Sequence, residues 1–103
     1  MPATSEPRTV RRHPGTDHLL SLFEWAHLPQ HLQDVSRPLG LIAHEMVMTL
    51  DDGPELTTGL RKLLEAKDCF VRQAVIDVRA AEKAIRDEAA YDALEAASTE
   101  EEK

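Results

Sequence analysis

Lys67 stands within residues spaced as one apolar helical face, Leu60, Leu63, Phe70 and Ala74. Lysine is rarely buried without a partner. A cation placed there lines a pocket for an anionic ligand, snorkels along its stem, or pairs with Glu24 or Glu45. Trp25, the single tryptophan, closes a short apolar segment ahead of Pro29. An indole in that position either staples the segment onto its neighbours or offers a flat face on which a nucleobase stacks. Arg37 and Arg61 supply further cations. Arg37 shares a helical face with Leu41, His44 and Met48, whereas Arg61 shares one with Glu65, Asp68 and Arg72, a mixed-sign pattern typical of a solvated surface.

Other reactive residues lack the company that chemistry requires. His27 and His31 have no third ligand, so they make a weak zinc signal. The single cysteine, Cys69, excludes an internal disulfide or a multi-thiolate metal site. It also lacks an oxyanion site and a positioned base. Gly40, Gly53 and Gly59 are too scattered for a phosphate-cradling loop. The chain is therefore expected to be no enzyme and to carry no metal or cofactor.

The 103 residues fit one small domain, with a net charge of −7. That charge is uneven: residues 82–103 carry eight acids and three bases, leaving the body near neutral. Broad binding to DNA needs a basic surface and is not expected. A small anion held by a few local cations is compatible with this balance. No apolar run is long enough to cross a membrane, and the first residues lack the apolar stretch of a secretory signal. One cysteine suits a reducing cytoplasm.

Three helices must position these residues. Residues 1–15, with three prolines and three arginines, read as a flexible arm. Thr16 is placed to cap a short helix over about 17–25. Pro29 opens a second over about 30–50, with Leu32, Val35, Leu39, Ile42, Met46 and Leu50 as its core stripe. Pro38 lies inside it and kinks it. Asp51-Asp52-Gly53-Pro54 is a turn, after which a third helix runs over about 54–79. It extends through an alanine- and glutamate-rich stretch over 80–97, before a disordered acidic tail at 98–103. The expected fold is all-α, a short N-terminal helix followed by an antiparallel helical hairpin. Leu41 and Met48 make a second apolar face, which with so thin a core points to assembly into an oligomer.

The order Phe23-x-Trp25, a helix-starting proline, a helix, then Asp-Gly-Pro-Glu and Leu60-Arg61-Lys62-Leu63-Leu64-Glu65-Ala66-Lys67-Asp68 resembles the small phage anti-CBASS sponge proteins of the actinobacteriophage type. The resemblance covers roughly Leu19 to Val78. It implies compact helical protomers in a homohexamer that bind cyclic dinucleotides, and in some cases cyclic trinucleotides, between protomers without cleaving them. A host defence effector is thereby starved of its messenger in the host cytoplasm. Trp25 stands where relatives usually carry a tyrosine contacting the ligand. The family's lysine on the first hairpin helix has no counterpart, and Arg37 is the nearest cation. Arg61 matches the basic start of the second hairpin helix.

Such a ligand brings two phosphates and two bases, and a symmetric interface doubles what each protomer offers. Trp25 with one or two of Arg37, Arg61 and Lys67 then suffices as the binding set. The alternative is a small helical phage protein that engages a host protein through the Leu41/Met48 face and the acidic tail.

Overall fold

The computed structural model describes residues 12–101, with side chains through Ser98. It is all-α: α1 spans Pro14–Ser21, α2 Gln30–Thr49 and α3 Pro54–Glu101, with no strand among the described residues. α1 begins earlier than its sequence suggests. His13, not Thr16, is the N-cap, its Nδ1 accepting the Gly15 amide at 2.9 Å, and Pro14 takes the first helical position. The helix ends at Ser21, short of the expected 25, and Leu22–Pro29 forms an irregular bridge to α2.

Arg12 corrects the reading of residues 1–15 as a free arm. Its side chain is only 11% exposed. The guanidinium donates to the Val47 carbonyl, to Leu50 O at 2.7 Å and to Asp52 Oδ1 at 3.2 Å. It thus satisfies carbonyls at the end of α2 that the helix itself leaves without donors. Residues 1–11, the rest of that arm, lie outside the described residues.

α2 is one helical element despite Pro38. Pro38 is on the exposed side, where the bond it withholds from the Asp34 carbonyl faces water. The buried line of α2 is Ser36, Gly40, Ala43 and Val47. This corrects the Leu32–Leu50 stripe: Ile42, Met46 and Leu50 are 43%, 36% and 45% exposed. Gly40 occupies the middle of the face, where the Trp25 ring and the Phe23 carbonyl lie directly on it. The larger apolar residues flank that contact, and Ile42, Met46 and Leu50 line a groove with Leu56, Leu60 and Leu63 of α3.

The core is Leu19, Phe23, Ala43, Val47, Leu56 and Leu60, with Leu20, Leu63 and Leu64 packed around it. Phe70, expected in the stripe, is 54% exposed. At 48 residues α3 is about 72 Å long, against about 30 Å for α2. Its second half therefore outruns its neighbours, and every residue from Arg79 to Ser98 is exposed. The helix continues to Glu101, which corrects the disordered tail expected from residue 98; residues 102–103 lie outside the described residues.

Candidate functional site

Phe23 and Trp25 leave α1 together and take separate roles. Phe23 is 1% exposed and anchors the bridge in the core. Two residues on, the Trp25 indole lies across α2 at Gly40. A Cβ built on Gly40 would meet Trp25 Cε3 and Cζ3 at 2.5 Å and the Phe23 carbonyl oxygen at 2.8 Å. Only glycine allows this approach, and the contact fixes one part of the ring. The ring also meets His44 edge-on, with centroids 6.4 Å apart and planes at 88°.

The indole divides two surface recesses. One, of about 320 Å³, is lined by Glu24, Trp25, Ala26, His27 and His44. The other, of about 390 Å³, is lined by Trp25, Gln30, Gln33, Asp34, Arg37, Pro38 and Leu41. Both volumes fall at the lower end of the range for small-molecule sites. The second recess brings together two residues selected from the sequence, the Trp25 plane and the Arg37 guanidinium.

The other two candidates stand apart. Arg61 is exposed on α3 and lines neither recess. The Lys67 side chain is 15% exposed, and its Nζ lies 3.1 Å from Asp68 Oδ1. Its acidic neighbour in sequence, rather than Glu24 or Glu45, supplies the ion pair. Cys69 is exposed, with Arg72 Nη2 donating to its Sγ at 3.3 Å. Among the described residues, no three His, Cys, Asp or Glu are grouped to hold a metal ion. No described helix is long and apolar enough to cross a membrane.

Gln30, Gln33 and Asp34 are not distinguished by type or spacing in the sequence. Gln33 Nε2 donates to Leu28 O at 2.8 Å and Ala26 O at 3.3 Å. These bonds tie the bridge to α2 and set which end of the amide is which. Gln30 Nε2 donates to Asp34 Oδ1 at 2.9 Å. Gly40 carries a sequence signal for the ring contact, because glycine inside a helix costs about 1 kcal/mol relative to alanine and so asks for a packing reason.

A third recess, at the α2–α3 turn, is lined by His13, Thr16, Asp52, Gly53, Pro54 and Thr57. Asp52 accepts the His13 amide at 2.9 Å, the Arg12 guanidinium at 3.2 Å and the Thr16 hydroxyl at 2.9 Å. These donors pull its pKa from 3.8 to about 2, the His13 amide contributing most and Arg12 next, while partial desolvation opposes them. Held as an anion at neutral pH, Asp52 has no proton to donate; it fastens Arg12 and α1 to the turn. Because the folded pKa is the lower one, this stability is present above about pH 3.8 and is lost as pH falls through about 2. Melting temperature should therefore fall more steeply over that window in the wild type than in Asp52→Asn. Parallel acid-melting curves for the two proteins would remove this role from Asp52.

No family model, curated protein or solved structure matches this chain.

Proposed function

We propose that this protein binds a cyclic di- or trinucleotide messenger and holds it without cleavage, so antagonising host anti-phage signalling in the host cytoplasm. The observation that carries the reading is the recess shared by Trp25 and Arg37, a stacking plane beside a cation. Arg61 and Lys67 lie outside that recess, so they serve as contacts only across a boundary between chains.

The reading includes an antiparallel α2–α3 hairpin assembled as a homo-oligomer, a hexamer in the resembling family. Its support is the surface that one chain leaves uncovered. The radius of gyration is 23.3 Å, against about 13 Å for a compact chain of this length. The accessible surface is 7887 Å², roughly 2,000 Å² above that of a compact monomer of this mass. Leu41 and Met48 are 48% and 56% exposed. The core-facing line of α3 continues from the half-buried Val78 to Ala81 and Ile85, which are exposed.

That uncovered stretch also favours a second reading. Ile76, Ile85, Tyr91 and Leu94 are 55–70% exposed, a surface on which a small interaction module would dock a host protein. One set of measurements separates the two. Calorimetric titration with a panel of cyclic di- and trinucleotides should show saturable binding, with the ligand recovered intact after denaturation. Light scattering should give a mass several times 11.5 kDa. A monomer that binds none of the panel would overturn the sponge reading, and a hydrolysed ligand would overturn the absence of cleavage.

A further inference from the structure

We infer that the Trp25–Arg37 recess selects guanine among the bases of its ligand; this rests on the cyclic-oligonucleotide reading above. The selection comes from the polar groups along one wall. Gln33 commits its amide N–H donors to the Ala26 and Leu28 carbonyls, so its Oε1 is the end left to accept. The Asp34 carboxylate accepts Gln30 Nε2 on Oδ1, and a carboxylate has about four acceptor positions in all. The wall therefore offers acceptors, followed one helical turn later by the Arg37 donors.

A ligand phosphate is repelled by Asp34 and attracted by Arg37. The edge turned toward Asp34 must then be the base, and it must present hydrogen-bond donors. Guanine alone among the common bases places two donors side by side, N1–H and N2–H, next to an acceptor, O6. Asp34 and Arg37 are three residues apart on one helix and so are neighbours on its surface. The carboxylate takes N1–H and N2–H, the guanidinium donates to O6, and the base plane lies along Trp25. Adenine would turn its N1 lone pair toward the carboxylate. Uracil offers one N–H flanked by two carbonyls.

One good bidentate contact gives discrimination on the order of tenfold to hundredfold. Trp25 is the only tryptophan, so its fluorescence reports on the recess directly. Titrations should show cyclic di-GMP binding about ten- to hundredfold more tightly than cyclic di-AMP. Asp34→Asn should remove most of that ratio by weakening the guanine ligand, while the adenine ligand is held no less well. Circular dichroism of this exposed-site variant checks that the helices are intact. Equal affinities for the two cyclic dinucleotides would overturn guanine selection and leave the sponge reading standing. Binding of 5′-GMP but not 5′-AMP, lost in Asp34→Asn, with no cyclic ligand bound, would do the reverse. No response to any of these ligands would overturn both.

Discussion

Phe23→Ala should lower the stability of the folded chain by about 3–5 kcal/mol, the usual cost of deleting a fully buried aromatic ring. Phe23 is 1% exposed and belongs to the cluster that joins all three helices, with Leu19, Ala43, Val47, Leu56 and Leu60. No other large side chain in that cluster comes from the bridge between α1 and α2. Its removal therefore opens a cavity and also frees the segment that carries Trp25. Domains of this size are stable by about 5–15 kcal/mol, and 1 kcal/mol corresponds to roughly 4–8 °C in melting temperature. Thermal unfolding followed by circular dichroism should show a drop of at least about 12 °C. A loss below about 1 kcal/mol would mean that this cluster is not the main core, and that the chain draws its stability from faces covered by other copies.

The parts of this fold that are legible in the sequence are governed by neighbours a few residues apart. Pro29 and the Asp-Gly-Pro turn mark where helices begin, and the dense Leu, Ala and Glu content beyond Pro54 marks a long helix. What was not legible depends on contacts distant along the chain. Arg12 reads as part of a polar arm until Asp52, 40 residues later, and the end of α2 are seen to hold it. The α2 register is hidden for a related reason. Large apolar residues dominate a periodicity argument, yet the line that lies deepest is serine, glycine, alanine and valine, with the glycine where the Trp25 ring and the Phe23 carbonyl need the room. The site divides in the same way. Trp25 and Arg37 stand out by residue type, whereas Gln33 and Asp34 are ordinary helix residues until the amide of Gln33 is seen to be spent on the bridge.

Trp25→Ala should weaken cyclic-nucleotide binding about ten- to hundredfold, the loss of one stacked base. The indole is half-buried and lies on Gly40, so the substitution also lowers stability. Affinity alone is therefore a poor discriminator, and Gly40→Ala supplies the second arm. Alanine gains about 1 kcal/mol in helix propensity. Its methyl would sit 2.5 Å from two carbons of the Trp25 ring and 2.8 Å from the Phe23 carbonyl. Overpacking of this kind costs about 1–3 kcal/mol, and the Phe23 oxygen is backbone that cannot simply swing aside. The clash should match or exceed the propensity gain, giving a net loss of up to about 2 kcal/mol and a displaced ring. In a Trp25→Ala background the ring clash is gone and only the Phe23 contact remains. Gly40→Ala should then cost less than it does alone, a coupling that a double-mutant cycle on melting curves measures. If the recess is the ligand site, Gly40→Ala alone also lowers affinity while leaving a folded protein, because it shifts the stacking plane without removing it. Additive stabilities would show that the ring does not rest on Gly40. A folded Trp25→Ala protein with wild-type affinity would take the indole out of the binding site.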